Sequence, residues 1–413
     1  MMEKKVHILV VSQYFYPEQF RINDICVEWV KRGYKITVLT GIPNYPQGKY
    51  YEGYDLYRKR TEVWNGIKII RVPIVARGNN SLKLASNYVS FVASGLVWEI
   101  LTTINADFVF NYEVSPMTQA LVGVWYAKRK NIPCYLYVTD LWPDNVEIVT
   151  GIHNVKILGA INAMVNYIYK HSTMIFTSSE SFIEKMIERG VPREKIQFWP
   201  QYAEDFYIPY RTKCAEALSE ETTIPNDGQF NLVFAGNIGY AQGLDILIKA
   251  AECLKYRGEY VRFNIVGDGR YKIQMRSEVS NANVQEYFNF IERQPAESIP
   301  KYMAAGDAAI ICLSKSDVFA MTIPAKTQSC LACGMPILVS ADGEIRSIIN
   351  NAKCGYTSAA GDVIGLAENI IRISRLTKDQ LKALGYNAIS YYQKHFDKEM
   401  LLEEIDKYLK GSR

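Results

Sequence analysis

Two glycine-rich turns follow consecutive predicted strands in the second half of the chain. The first turn lies within Phe234–Asp245 and the second within Val266–Arg270. Glycine lets backbone N–H groups approach a phosphate closely, and the free amides at the start of a helix favour an anion. Each turn alone is also explained as a tight strand-to-helix connection, but together they predict a site for a nucleotide diphosphate. The residues that we expect to form this site are Gly236, Asn237, Gly239, Gln242, Gly243, Gly267, Asp268 and Arg270.

A third segment, Thr322–Pro336, adds a cation to this predicted site. Pro324 is typical of the start of a helix, which places Lys326 in the first helical turn together with Thr327 and Gln328. A cation is disfavoured at this end of a helix unless it faces an anion. Lys326 is therefore a candidate phosphate ligand, and a solvated surface lysine is the alternative.

These segments lie in a chain whose apolar strand-like runs alternate with amphipathic helical runs. Such alternation predicts parallel sheets that are covered by helices on both faces. The pattern is interrupted by a polar, proline-containing stretch at 200–229 and starts again at Asn231. We predict an α/β chain with two Rossmann-like, doubly wound domains that face each other across a cleft. The predicted divisions are an N-terminal domain at 1–202, a linker at 203–230, a C-terminal domain at 231–395, and a C-terminal helix at 396–413 that packs back on the N-terminal domain.

Composition excludes several classes of protein. The 413 residues are enough for two domains, and 47 basic against 43 acidic residues give a net charge of only +4. Nucleic-acid binders need a much more basic surface. The eight cysteines are scattered, which predicts reduced thiols in the cytosol. Cys330-x-x-Cys333 resembles a redox or zinc pair, but it lacks a second pair, so we interpret it as core packing.

The chain begins with MMEKKVHILVV, which lacks the apolar stretch and cleavage site of an export signal. We therefore expect a cytoplasmic protein. The longest apolar run, Tyr88–Trp98, is about half of the ~20 residues that are needed to cross a bilayer. On this basis we predict no transmembrane segment.

Five segments, in both halves of the chain, carry a resemblance to a known family. They are Phe15–Asp24, Thr40–Pro46, Asp140–Asp144, Gly236–Gly243 and Pro324–Gly334. With these segments in this order, the whole chain resembles a retaining glycosyltransferase of the two-domain GT-B type in family 4. It is most similar to the O-antigen and capsule enzymes of the WbuB fucosaminyltransferase group.

The resemblance implies transfer of a sugar, N-acetylated or deoxy, from a UDP-sugar to a glycan on a polyprenyl diphosphate. The N-terminal domain would bind the acceptor and the C-terminal domain the nucleotide sugar. No metal or other cofactor is expected, because no Asp-x-Asp motif marks a metal–diphosphate site, and no nucleic-acid partner is expected. Peripheral contact with the inner face of the plasma membrane would use Arg58–Arg60 and Leu82–Trp98. A solvated basic loop and a core helix are the alternatives for these two segments.

The resemblance also implies roles for residues of the N-terminal domain. Asp140 follows an apolar run and is a candidate catalytic residue that orients the acceptor hydroxyl or stabilises positive charge at the anomeric carbon. Capping of a helix is the alternative for Asp140. Glu113, which follows the predicted strand Phe108–Tyr112, is a second catalytic candidate. The acceptor-side candidates are Tyr14, Tyr16, Arg21, Asn23 and Trp142.

The chain departs from the family pattern at four positions. Members of the wider family often carry an arginine and a lysine where this chain has Asn237 and Gln242. The two family glutamates correspond to Met321 and Ser329, neither of which is acidic. The residues expected to bind the diphosphate instead are Lys326 and Arg270, and those expected to bind ribose and sugar hydroxyls are Thr327, Gln328 and Ser329.

Two other functions are compatible with these residues. A nucleotide-sugar 2-epimerase shares the GT-B architecture, but it requires acidic residues and a histidine at strand ends. A catalytically silent, glycosyltransferase-like binding subunit would explain the loss of acidic side chains at Met321 and Ser329. Nucleotide binding without turnover would identify such a subunit.

Overall fold

In a computed structural model, the chain divides into two compact units, with the boundary between Trp199 and Pro200. The structure describes residues 5–78, 80–146, 154–207, 209 and 215–410. The first four residues, which belong to the segment expected to lack an export signal, lie outside this set. Each unit is built on its own sheet.

The first unit contains an eight-stranded sheet in the order β3-β4-β2-β1-β5-β6-β7-β8. All neighbouring strands are parallel except β3 and β4, which form an antiparallel pair at one edge. The central strands are buried along their whole length, which explains their continuous apolar sequences. The strands are β1 His7–Val11, β2 Lys35–Gly41, β3 Thr61–Trp64, β4 Ile67–Val72, β5 Phe108–Glu113, β6 Cys134–Val138, β7 Met174–Thr177 and β8 Ile196–Phe198.

Helices connect the parallel strands of the first unit. The α2 helix begins after Asn80, whose side chain accepts the backbone N–H of Lys83 at 2.8 Å. The α3 helix ends at Asn131, which adopts a left-handed conformation. The helices are α1 Arg21–Lys31, α2 Ser81–Leu101, α3 Ala120–Lys130, α4 Val155–His171 and α5 Glu180–Glu188.

The second unit contains a parallel six-stranded sheet in the order β11-β10-β9-β12-β13-β14. This is the doubly wound order, in which the chain first builds outward to one side of β9 and then to the other. Ligands of such sheets bind beyond the carboxyl ends of the strands where the order reverses. The strands are β9 Phe230–Ala235, β10 Val261–Val266, β11 Phe288–Ile291, β12 Ala308–Cys312, β13 Ile337–Ser340 and β14 Gly355–Ser358.

The helices of the second unit enclose two apolar cores, one on each face of its sheet. Cys330 and Cys333 lie in one of these cores and are buried there. The helices are α6 Ala215–Thr222, α7 Asp245–Tyr256, α8 Lys272–Asn281, α9 Ile299–Ala305, α10 Asp317–Ala320, α11 Lys326–Ala332, α12 Glu344–Ala352, α13 Val363–Ser374, α14 Lys378–His395 and α15 Lys398–Lys410.

The segment predicted to be a linker differs from the prediction. The segment 203–230 was expected to be a linker, but it contains α6, which packs on α9 inside the second unit. Leu218 and Ile224 of this segment are buried, so its polar residues conceal a structured element. Residues 208 and 210–214 of the predicted linker lie outside the described set. The α15 helix lies in the second compact unit, and its packing on the N-terminal domain stays a prediction.

The α2 helix has 21 residues and is longer than the apolar run Tyr88–Trp98. Among the described residues it is the one helix that is long and apolar enough to cross a membrane by these two criteria, and 28% of its apolar window is buried. Gly95 packs against Val122 of α3, and Glu99 pairs with Arg129. One face of α2 therefore packs on the first unit, and the other face is exposed.

Candidate functional site

The two glycine turns lie side by side at the carboxyl end of the second sheet. Gly236 N–H donates to Val266 O at 3.0 Å, and Ile238 N–H donates to Asp268 O at 2.8 Å. A Cβ atom on Gly267 would lie only 1.9 Å from Gly236 O. The backbones of the two turns are thus in direct contact, and this contact requires glycine at position 267.

Lys326 brings a cation to these turns, as the sequence predicted. A methyl group added to Gly236 would lie 3.4 Å from Lys326 Nζ. The same Nζ lies 4.1 Å from the centroid of the Phe234 ring and donates to Gln242 Oε1. We call Gly236–Gly239, Gly267–Arg270, Gln242 and Lys326 the turn site.

The ammonium group of Lys326 has no acidic partner. Within the described part of the chain, no carboxylate lies in ion-pair range of Lys326 Nζ. Burial lowers its pKa to about 8, and the nearest thiols, Cys330 and Cys312, oppose this shift. A desolvated cation without a counter-ion is an electrostatic reason for an anion to bind at the turn site.

The remaining residues predicted for the first turn also lie at the turn site. Asn237 is exposed, and its side chain lies close to Gly269 of the other turn. Gly243 ends a short helical turn in a left-handed conformation with φ +57°. Gly239 begins the same short turn.

Arg270 and Asp268 lie at the rim of the turn site, where both are exposed. The carboxylate of Asp268 accepts the backbone N–H of Gly269 at 2.8 Å. No ion pair holds the Arg270 guanidinium among the residues described here. Arg270 is therefore placed to meet an anion from the solvent side.

The predicted contacts of Thr327, Gln328 and Ser329 to a ligand do not match their burial. Thr327 is 0% exposed and Gln328 is 1% exposed, so neither side chain reaches the surface. In its hydrogen-bonded orientation the Gln328 amide donates to Ala325 O and Pro324 O. The Ser329 hydroxyl, also buried, donates to Ala325 O at 3.4 Å. Gln328 and Ser329 support the α11 turn through these bonds, whereas the Thr327 hydroxyl has no partner among the described residues. Lys326 is the member of this segment that is presented to the turn site.

In the first unit, the two predicted catalytic carboxylates lie together at the ends of β5 and β6. Glu113 Oε2 accepts the backbone N–H of Asp140 at 3.3 Å. The Asp140 carboxylate accepts the backbone N–H of Ser115 at 2.9 Å and remains half-buried. Glu113 is 0% exposed. Asp140 can therefore contact a substrate, whereas Glu113 lies beneath it and supports its backbone.

Burial raises the pKa of Glu113 well above its usual range, and the charge of Asp140 raises it further. Its Oε1 atom has no hydrogen-bond partner among the described residues. Because Glu113 does not reach the surface, the structure places it as a support for Asp140, and a direct catalytic role for Glu113 stays a prediction.

The acceptor-side candidates surround the same edge of the first sheet but differ in exposure. Tyr14 and Trp142 are buried, whereas Tyr16 is half-buried and stacks on Trp64 at a ring separation of 4.3 Å. The Trp142 indole donates to Ser115 Oγ at 3.0 Å. The buried rings shape the edge of the sheet, and Tyr16 is the aromatic candidate with accessible surface.

Arg21 and Asn23 lie at the start of α1, beside this edge. Arg21 is buried, and its charge lowers the pKa values of Tyr112 and Tyr137, which burial raises. Asn23 donates to Glu18 O at 2.7 Å. Arg21 therefore supports buried tyrosines, and Asn23 holds the loop that follows β1.

Sequence reasoning missed the role of Glu18 in positioning two loops. Its carboxylate accepts the N–H groups of Asn44 at 2.7 Å, Tyr45 at 2.6 Å and Phe15 at 3.3 Å. Burial raises the pKa of Glu18 to about 7, although these hydrogen bonds oppose the shift. Glu18 thereby joins the loop after β1 to the loop after β2. An acidic residue within an aromatic loop was the available signal.

Sequence reasoning also missed Arg77, which follows β4 and lies among tyrosines at the same edge. Its own segment contains no motif that predicts a site.

No group of three or more His, Cys, Asp or Glu side chains in the described residues is arranged to hold a metal ion.

Two known protein families match this chain, one over most of each unit. The family described as "Glycosyl transferase 4-like domain" matches residues 19–201, and that described as "Glycosyl transferases group 1" matches residues 217–391. The chain is a glycosyltransferase. Its relatives include the putative colanic acid biosynthesis glycosyl transferase WcaI of Escherichia coli K12. WcaI is 25% identical over 355 residues, which cover 81% of this chain and 83% of WcaI.

Solved structures show that this glycosyltransferase has the GT-B fold that the sequence predicted. Sucrose-phosphate synthase from Thermosynechococcus elongatus matches with a TM-score of 0.77 at 14% identity, covering 98% of this chain and 99% of that one. Anabaena Alr3699/HepE, solved in complex with UDP-glucose, matches with a TM-score of 0.71 at 15% identity, covering 98% and 99% of the two chains. These comparisons confirm the resemblance at the level of a GT-B glycosyltransferase.

Proposed function

We propose that this glycosyltransferase is a retaining, metal-independent enzyme of the family 4 type that acts in surface polysaccharide biosynthesis. It transfers a sugar, N-acetylated or deoxy, from a UDP-sugar to a lipid-linked glycan, as in the O-antigen and capsule enzymes of the WbuB group. Two similarities support this proposal. The relative WcaI is described as a colanic acid biosynthesis enzyme, and the similar fold of Alr3699/HepE was solved with UDP-glucose.

The observation that carries the proposal is the position of Lys326 over Gly236. The turn site offers exposed backbone at Gly236 and Asn237, a cation without a counter-ion, and Arg270 at the rim. Together these features fit a diphosphate, whose charge they would neutralise without a metal. Lys326 also contacts Gln242, the position at which the wider family often carries a lysine. We infer that the missing charge is supplied from α11.

In the proposed reaction, the bond between the anomeric carbon and the β-phosphate oxygen breaks and UDP leaves. The acceptor oxygen bonds to the anomeric carbon on the same face, and its proton passes to the β-phosphate. Lys326 and Arg270 stabilise the charge that develops on the leaving diphosphate. Asp140, half-buried at the end of β6, orients the acceptor hydroxyl or stabilises the positively charged sugar.

Binding and turnover test this proposal separately. Calorimetry with UDP, GDP and ADP should show that UDP binds most tightly and that Lys326→Met weakens its binding by about tenfold or more. Lys249→Met is the matched control, because Lys249 is an exposed lysine that is paired with Asp245. No nucleotide binding would refute the donor site. UDP binding without transfer to any lipid-linked acceptor would favour the silent binding subunit.

We also propose that the protein works in the cytoplasm and contacts the inner face of the plasma membrane through α2. The outward face of this helix carries exposed apolar side chains, among them Val89 at 67% and Leu101 at 74% exposure. A groove beside it is lined by Val97, Trp98 and Arg60. The loop Arg58–Arg60 adds cations that suit an anionic lipid surface.

Flotation with anionic vesicles tests the membrane contact. Val89→Asp combined with Leu96→Asp should abolish flotation, because both side chains are exposed on α2. Ile273→Asp, on an exposed residue of the second unit, should leave it unchanged. Equal flotation of all three proteins would refute the proposed role of α2.

A further inference from the structure

Arg77 lies at the carboxyl edge of the first sheet, in the segment between β4 and α2. Its Nη1 donates to the Tyr14 hydroxyl at 3.1 Å, and its guanidinium carbon lies 5.2 Å from the centroid of the Tyr45 ring. Tyr88 also interacts electrostatically with Arg77. We call Arg77 and these three tyrosines the Arg77 cluster.

Several other arginines of the first unit each pair with a carboxylate. Arg71 pairs with Glu62 at 2.6 Å, Arg129 pairs with Glu99, and Arg189 pairs with Asp144. For Arg77, none of the described residues provides a carboxylate within ion-pair distance. Its neighbours are neutral hydroxyls and rings, since burial raises the pKa values of Tyr14 and Tyr88 further above neutrality. The positive charge is therefore not neutralised within its surroundings.

The surrounding loops hold the cluster in a fixed geometry. Tyr14 stacks on Phe20 at 5.3 Å and contacts Tyr45 at 5.4 Å, and Glu18 fixes the backbone of Tyr45. The backbone N–H of Arg77 donates to Asn44 Oδ1 at 2.9 Å. Such pre-organisation lowers the entropic cost of binding a ligand.

The Arg77 cluster is also close to the candidate catalytic carboxylate. Burial is the main cause that raises the pKa of Tyr88, the charge of Arg77 lowers this pKa, and the charge of Asp140 raises it further. Tyr88 therefore lies within electrostatic range of both groups. Arg77 and Tyr45 are half-buried and present surface, whereas Tyr14 and Tyr88 are buried beneath them.

We propose that Arg77 binds a phosphate group of the acceptor, and that the Tyr14 hydroxyl positions the guanidinium for this contact. This inference rests on the proposed function, because it assigns a ligand to the acceptor side of the same enzyme. A guanidinium offers several N–H donors in one plane, and the donors that Tyr14 does not occupy suit the oxygens of a phosphate ester. The source is either the diphosphate of a lipid carrier or the phosphate of a sugar phosphate.

Calorimetry on the full chain with inorganic pyrophosphate as the probe tests this site. The protein is first saturated with UDP, so that the turn site is occupied and pyrophosphate can report only a second site. We expect pyrophosphate to bind the UDP-saturated protein, and Arg77→Gln to weaken this binding by about tenfold. Tyr14→Phe should weaken it less, because the guanidinium keeps its charge but loses its positioning bond. Arg276→Gln, which removes an exposed cation of the second unit, is the control.

The outcomes separate this inference from the proposed function. If UDP does not bind, the donor site is refuted, and pyrophosphate binding that still depends on Arg77 would support the present inference alone. If UDP binds but Arg77→Gln and the parent protein bind pyrophosphate equally, or neither binds it, the inference is overturned. An unchanged UDP affinity in Arg77→Gln shows that the variant is folded. Tighter Arg77-dependent binding of farnesyl diphosphate than of pyrophosphate indicates a lipid carrier, and tighter binding of glucose 1-phosphate indicates a sugar phosphate.

Discussion

The carboxylate of Glu113 lies beneath Asp140 and accepts its backbone N–H at 3.3 Å. This contact gives two neighbouring acidic residues different tasks. Burial raises the pKa of Glu113 well above its usual range, whereas Asp140 remains half-buried and able to meet a substrate. The arrangement separates a positioning residue from a candidate catalytic residue.

Conservative substitutions distinguish these two roles. We expect Glu113→Gln to retain turnover within about threefold, because the amide has a similar shape, keeps an oxygen that can accept the Asp140 N–H, and lies where no substrate reaches it. Asp140→Asn should lower kcat by about a hundredfold or more, while leaving UDP affinity unchanged, since it removes a charge close to the reacting atoms. Steady-state kinetics and UDP calorimetry on both variants provide the measurement. Equal losses of kcat in the two variants would show that Glu113 acts as a charged group.

Lys326→Met should weaken UDP binding and at the same time stabilise the protein without ligand. Holding a desolvated ammonium group without a counter-ion destabilises the fold, and methionine removes this charge while keeping an apolar stem beside Phe234. Because the pKa in the folded protein is lowered to about 8 from 10.5, the unfolded state binds more protons between these values. The stability of the parent protein therefore rises with pH over this range.

Thermal melts at several pH values check this expectation. The higher Tm of Lys326→Met should be largest below pH 8 and should disappear by about pH 10.5. A variant that melts below the parent protein at pH 7 would identify Lys326 as a structural residue.

UDP affinity should fall as the pH rises above about 8, where Lys326 loses its proton in the free protein. Binding of the diphosphate then requires uptake of one proton, so Kd should increase by up to about tenfold per pH unit. Lys326→Arg keeps its charge at these pH values, and its affinity should change less. Calorimetry from pH 7 to pH 9.5 in buffers of different ionisation enthalpy measures both the affinity and the proton uptake. Parallel curves for the two proteins would contradict the assignment to Lys326.

The sequence was sufficient to predict the parts of the site that depend on local chemistry. Gly236, Gly267 and Lys326 stand at the ends of strongly apolar strands or at the start of a proline-led helix, so their residue types and neighbours indicated their position. Thr327 and Gln328 share that helix, but whether they face the ligand or the interior depends on packing. Spacing along one short helix does not contain this information.

Other features depend on residues that are far apart in the chain. Arg77 is a candidate ligand-binding residue because it contacts Tyr14 and Tyr45 and because no carboxylate of the described residues pairs with it. The sequence around Arg77 shows neither of these features. The short edge strands β3, β8 and β14 have three or four residues each and weak apolar patterns, so tertiary pairing and not local preference defines them. Within the predicted linker, α6 becomes recognisable only through its packing on α9.

Gly267→Ala tests whether the contact between the two glycine turns is needed for both stability and donor binding. A Cβ atom at this position would lie 1.9 Å from Gly236 O, so the turns must separate. We expect a loss of about 2–4 kcal/mol in the free energy of unfolding, together with a loss of UDP binding. Gly258→Ala is the matched control, because Gly258 also has a positive φ, +69°, but no atom lies within 4 Å of its added Cβ. We expect Gly258→Ala to lower the free energy of unfolding by only about 1–2 kcal/mol and to leave UDP affinity unchanged. Denaturant unfolding and UDP calorimetry on both variants provide the comparison. Equal losses of stability and of UDP affinity in the two variants would contradict this prediction. They would show that the positive φ alone, and not the close approach of Gly267 to Gly236, determines the loss.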